Sequence, residues 1–231
     1  MARARTRIAV SVPVILETGE RRVFASAADW PGWSRNGRDE STALEALLVY
    51  GPRYARVVSR AKLGFAPPAD LSALRVVERV RGNATTDFGA PGAPAKLDTA
   101  EVGADELARL RAIVTAGWSA FDAGVGAARG KALRAGPRGG GRSLMAIGEH
   151  VRSAEVGYLS GLGWPFKSDA NGRALVERTR AAVIEGLAAS ARGDIAPRGP
   201  RGGVRWTARF FVRRLVWHAL DHLWEIEDRL A

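Results

Sequence analysis

The stretch Phe211-Val-Arg-Arg-Leu215-Val-Trp217-His218-Ala-Leu-Asp-His222-Leu-Trp224-Glu225 decides how the second half of this chain is read. Phe211, Leu215, His218, His222 and Glu225 recur at intervals of three and four, so they form one stripe on a helix. An apolar stripe of that spacing faces a core, and the two histidines continue it. Their i, i+4 spacing stacks the imidazoles about 5–6 Å apart, close enough to share one ion through bonds of about 2 Å. The predicted helix covers residues 206–230.

Three more helical patterns precede it, over residues 104–133, 143–161 and 170–191, with glycine-rich breaks at 136–141 and 193–203. Leu107, Leu110, Val114 and Phe121 share a face of the first. Its Gly117, Gly124 and Gly126 are poor helix formers and predict a bend or a break. Four amphipathic helices with short breaks predict an up-and-down bundle, which would put both glycine-rich loops at one end.

Only three histidines occur in the chain. The third, His150, lies in the second bundle helix on the stripe Ile147, His150, Ala154, Tyr158. A bundle would let it meet the other two. Three inward imidazoles without a partner charge are costly to desolvate, and one shared divalent ion, Zn²⁺ or Ni²⁺, removes that cost. Three nitrogen ligands also leave positions open for water or substrate. The competing reading is a hydrogen-bonded polar core. Glu225 is the nearest carboxylate by helical phase: a fourth ligand, an acceptor for an imidazole N–H, a base, or an exposed group one turn away. Asp221 and Glu149 point about 100° away from the ligand stripe.

The first half reads differently. A strand over residues 7–16 alternates strictly, a second covers 22–28, and a third covers 74–80. Pro31-Gly32 fits a type II turn. A helix follows, with capping-box spacing at Thr42 and Glu45; Pro52 interrupts it, so 53–62 is a kinked continuation or a second helix. The Pro/Gly/Ala segment 89–94 reads as a linker, which divides the chain into residues 1–95 and 96–231, each expected to fold by itself.

Gly148-Glu-His150-Val-Arg-Ser-Ala-Glu155 and Trp217-His218-Ala-Leu-Asp-His222 resemble the DinB-like superfamily of four-helix-bundle metalloproteins. The resemblance covers about residues 101–231 and implies that His150, His218 and His222 ligate a divalent metal. Some relatives are thiol-dependent isomerases or transferases. Asp29-Trp-Pro-Gly32, Gly37 and the helix start at Glu40 to Leu47, placed after two strands, resemble a HicB-like domain. The two together imply an α+β chain, a small HicB-like α/β domain followed by an all-α DinB-like bundle.

Composition narrows the function. There is no cysteine, which removes disulfides, thiolate ligands and thiol nucleophiles. The net charge is +11, but 31 of the 35 basic residues are arginines and both halves share the excess. That pattern fits GC-rich coding better than a nucleic-acid-binding stripe. The early apolar alternation reads as a strand and not as a signal peptide, and no run is long enough to span a membrane, so the expected compartment is cytoplasmic.

The leading expectation is a metal-dependent enzyme, a hydrolase or a thiol-dependent transferase or isomerase, acting on a small molecule, with a low-molecular-weight thiol as one candidate. The alternative is a regulatory protein that recruits a partner through its first half. Arg201 and Arg205, beside the second glycine-rich loop, are expected to meet an anionic substrate. Trp217 and Trp224, seven residues apart, predict core or homodimer contacts.

Overall fold

Val12–Thr18 (β1) pairs antiparallel with Val23–Ala27 (β2) and parallel with Leu74–Arg81 (β4); Ser34–Gly37 (β3) extends the sheet beyond β2. The computed structural model describes residues 11–136 and 141–230, so the predicted start of β1 at residues 7–10 lies outside the described residues. The strand order β3-β2-β1-β4 puts β1 in the interior. Both of its faces are also covered: Ile15 and Glu17 are as buried as Val14 and Leu16, and the predicted half-buried alternation does not hold. β3 was not predicted, because Ser34-Arg-Asn-Gly37 carries no apolar pattern. It is set by the turn before it, where Gly32 adopts φ +92° and Ala27 N donates to Trp33 O at 3.0 Å.

Helix α1 (Glu40–Val58) begins one turn earlier than the Thr42/Glu45 spacing implies. Asp39 caps it by accepting from Thr42 N at 2.8 Å, and the Thr42 hydroxyl receives Asp39 N at 3.2 Å. Pro52 does not divide α1, which runs through it as one helix. The proline ring faces solvent, and the buried Trp33 indole donates to Leu47 O at 2.8 Å, one residue before the carbonyl that Pro52 leaves without its usual donor.

A short helix, α2 (Ala84–Phe88), and a 3-10 turn, Lys96–Thr99, flank the segment read as a linker. That segment is packed. Ala90, Ala93 and Ala95 are buried, Gly92 N donates to Glu17 Oε1 at 2.8 Å, and Pro91 O accepts from Arg214 at 3.1 Å. Small side chains let its backbone lie close to both halves.

The second half contains α3 (Ala104–Ala128), α4 (Leu144–Leu162), α5 (Gly172–Ala191) and α6 (Ala208–Arg229). The chain is thus α+β, a mixed sheet followed by helices. The predicted break in α3 is absent. Gly117 and Gly124 sit where α6 comes closest: a Cβ on Gly117 would lie 3.2 Å from Val216, and one on Gly124 would collide with Leu223. Gly117 and Gly124 thus serve close packing against α6, while Gly126 has open space around it.

The helix directions differ from simple alternation. Trp206 N donates to Gly161 O at 2.9 Å, so the end of α4 meets the start of α6. Gly186, late in α5, backs onto Trp164, just past α4. Hence α4 and α5 run together, antiparallel to α3 and α6, with the non-helical segment 163–171 carrying the chain back between them. The expectation that both Gly/Arg loops share one end is therefore corrected. Arg142 lies by the end of α6, where Arg229 donates to its carbonyl at 3.0 Å, whereas 198–203 lies by the start of α6.

Helix α6 is the common wall of the molecule, with 16 of its 22 residues buried. Its bundle face meets α3 and α4. Its other face meets the first half: Phe24 packs edge-on to Trp217 with ring centroids 6.0 Å apart, Tyr50 meets Trp224 at 4.9 Å, and Arg35 pairs with Asp221 at 2.8 Å. The indoles are thus covered by the chain's own sheet and α1, and one buried cluster runs from Val12 to Ile226. Among the described residues no helix is long and apolar enough to cross a membrane.

Candidate metal centre

His218 and His222 project from the middle of α6 and His150 from α4, which runs antiparallel beside it. One ring nitrogen from each lies within 4.8 Å of the other two. The Nε2 atoms of His150 and His218 are 3.1 Å apart. Ligands about 2.0–2.1 Å from a tetrahedral ion stand about 3.3 Å from one another. The observed spacing brackets that value, so small rotations of the rings would complete such a site.

His222 Nδ1 lies 2.8 Å from Glu225 Oε2, and Glu225 Oε1 accepts from Arg229 at 2.7 Å. With Nδ1–H donating, the lone pair of His222 sits on Nε2. Glu225 is therefore neither an exposed carboxylate nor a ligand in this geometry; it fixes a tautomer. The bond from His222 is the largest cause holding its pKa below the ordinary carboxylate value, helped by Arg229. Arg229 also donates to the carbonyls of Arg134 and Arg142, tying the connection between α3 and α4 to the end of α6.

Burial pushes the pKa of His218 down to about 2, and His222 and His150 add to the effect. Burial, then His222 and Arg142, lowers that of His150. Such imidazoles are neutral at physiological pH, which is the state that ligates a cation, with no proton to displace. His218 Nδ1 is buried without a hydrogen-bond partner. Because His218 faces His150 through Nε2, this orphan remains with or without an ion, and the fit rests on the three converged rings. The donor set and its supports fit a divalent ion.

The histidines line one wall of a cleft of about 1180 Å³ between the bundle and the first half. Tyr158 and Arg214 flank them on the bundle side, while Arg22 and Phe88 stand on the other wall. The sequence reading placed Tyr158 on the His150 stripe but missed Arg214, although 214, 218 and 222 share one i, i+4 line. Arg22 carries no such local signal; only the fold brings it here. Arg201 and Arg205 do not reach this cleft. Arg205 packs on Gly163, donates to Ala196 O at 3.2 Å, and lines a separate pocket with the end of α5, while Arg201 is exposed. Asp221 turns away from the histidines to Arg35.

Comparison with family models, curated proteins and solved structures finds no match to this chain.

Proposed function

We propose that this chain is a divalent-metal enzyme of the DinB-like kind, with a HicB-like module ahead of its bundle, and that His150, His218 and His222 hold Zn²⁺ or Ni²⁺. The observation that carries the reading is the convergence of the chain's only three histidines on the wall of an open cleft. Imidazole suits both ions. Three protein ligands leave room for a substrate atom, which favours a hydrolase or a thiol-dependent transferase or isomerase acting on a small molecule.

When bound, the ion supplies Lewis acidity to the group that enters the cleft. The protein's own part is positional. Glu225, steadied by Arg229, holds His222 in the tautomer whose Nε2 faces the cluster. Burial keeps His218 neutral and oriented. His150, the least buried of the three, stands nearest the opening. Phe88 and Trp217 add apolar groups to the lining of the cleft.

Elemental analysis of the purified full chain, dialysed against Zn²⁺ or Ni²⁺ and then desalted, tests the reading. One ion per chain is expected in the wild type, and none in a folded His218→Ala, His222→Ala variant. Failure of the wild type to retain either ion, or equal retention by the variant, would overturn it.

A further inference from the structure

The cleft is shared. One wall is the bundle with its histidines; the other is the turn between β1 and β2 together with α2 and the segment after it. Its charged groups are unevenly matched. Arg21, Arg22, Arg38, Arg142 and Arg214 line it, against Glu20, Asp87 and Asp221. Asp221 is engaged by Arg35 at 2.8 Å, and Asp87 accepts from the backbone N–H groups of Glu20 and Arg21 at 3.2 and 2.7 Å. Arg38 stands 3.8 Å from Asp39. Among the described residues Arg21, Arg22, Arg142 and Arg214 enter no ion pair, although Glu17 and Asp221 act on Arg214, and Asp87 on Arg21, at longer range.

Arg214 is the most constrained of these. It is half-buried, its guanidinium carbon lies 4.9 Å from the Trp217 ring centre and 5.5 Å from that of Tyr158, and Nη1 donates to Pro91 O. Aromatic faces, one carbonyl and the Tyr158 hydroxyl offset only part of the cost of a half-buried cation. Arg214 is also four residues before His218, so its side chain lies one turn, about 5–6 Å, from the ligand stripe. Across the cleft, Arg22 is held by Asn36 Oδ1 at 3.3 Å, and its guanidinium lies beside Gly89. A guanidinium fork fixed on an aromatic face, with a second arginine opposite, is built for an oxyanion.

We propose that the cleft binds a small molecule carrying a carboxylate or phosphate, gripped between Arg214 and Arg22, with its reacting group one helical turn away at the histidines. This rests on the metal reading for the reacting group but not for the anion. It also gives the first half a role: its β1–β2 turn forms the anion-binding wall.

The test has two arms. In metal-free full chain, calorimetric titration with malonate and with inorganic phosphate reads the anion site alone, and the tighter of the two identifies the oxyanion. In Co²⁺-loaded chain, the thiolate-to-cobalt absorption band reports binding of 3-mercaptopropionate and of its neutral isostere 3-mercaptopropionamide. One charge-assisted contact of about 1.4 kcal/mol corresponds to roughly tenfold in affinity. The wild type should therefore prefer the carboxylate by at least about tenfold, and Arg22→Ser and Arg214→Gln should each remove most of that preference while leaving the amide unchanged. Arg22 is a cleft-wall residue outside the bundle, so its variant remains informative if Arg214→Gln fails to fold. Equal affinity for acid and amide in the wild type, or anion binding unaltered in Arg22→Ser, would overturn the proposal. Anion binding in the first arm with no cobalt uptake would uphold the oxyanion site and refute the metal centre instead.

Discussion

Replacing Glu155 by glutamine should stabilise the protein, and by more at high pH than at low. Glu155 is 3% exposed inside the bundle, and its Oε1 accepts from Trp118 Nε1 at 2.6 Å. No guanidinium pairs with it; Arg180 and Arg152 act on it only at range, and Arg180 is engaged by Asp122 at 2.6 and 2.8 Å. Burial, opposed by the Trp118 bond, pushes its pKa from 4.5 to about 7. A carboxyl whose folded pKa is raised binds more protons folded than unfolded, so stability falls as pH climbs from 4.5 through 7. The 2.5 pH units between those two values, at ~1.36 kcal/mol each, amount to about 3 kcal/mol, absent below pH 4 and complete above pH 7. Glutamine keeps an acceptor for Trp118 and carries no charge. Urea denaturation of chelator-stripped wild type and Glu155→Gln should give a gain of about 1 kcal/mol or less at pH 5 and about 3 kcal/mol at pH 8. With a slope of about 3 kcal/mol/M, that is a midpoint shift of about 1 M at pH 8. Every other charged group is common to both proteins and cancels in the difference. A gain of the same size at both pH values would show that Glu155 is not held protonated by the fold.

Glu225→Gln should lower affinity for the metal roughly 10–100-fold without unfolding the chain, read by competition with a chromogenic chelator, because His222 loses its anionic anchor; unchanged affinity would remove Glu225 from the site. Asp98 accepts from Arg213 at 2.9 and 2.5 Å with both side chains buried. Asp98→Ala should therefore cost about 3–5 kcal/mol in urea denaturation, most of it regained when Arg213→Met is added; a loss below about 1 kcal/mol would show that the pair is effectively solvated. Residues 96–231 expressed alone should self-associate in light scattering, because Val216, Trp217, Leu220 and Trp224 lose their cover; a monodisperse, cooperatively folding fragment would show that the bundle stands without the first half.

The histidine cluster was legible because it is local twice over: an i, i+4 pair on one helix and a third copy on another inward stripe. The helices themselves followed from apolar period, and their ends from glycine. What escaped the sequence is what non-local packing decides. The direction of α5 depends on an extended connection that has no periodic signal. β3 is polar and exists because β2 offers it an edge. The indoles of α6 could be assigned to a core or a dimer, and only the position of Phe24 and Tyr50 chooses. Arg22 enters the cleft through a sheet turn nearly two hundred residues from the helix it faces, a relation no spacing records.

The burial of α6 on both faces also sets a timetable for synthesis. Phe24, Tyr50 and Arg35 wait for Trp217, Trp224 and Asp221, and the link from Arg35 to Asp221 spans 186 positions. At translation rates of roughly 5–20 residues per second, the stretch between Asp98 and the start of α6 takes roughly 5–20 s to make. Throughout that interval the β1–β2 sheet and α1 stand with one greasy side bare. The nascent chain is therefore most exposed to misassociation while nearly half of it is already made, and its rescue comes only when the last 22-residue helix slides into the slot. A factor that shields apolar surface on the ribosome would change the yield of this protein more than its final stability.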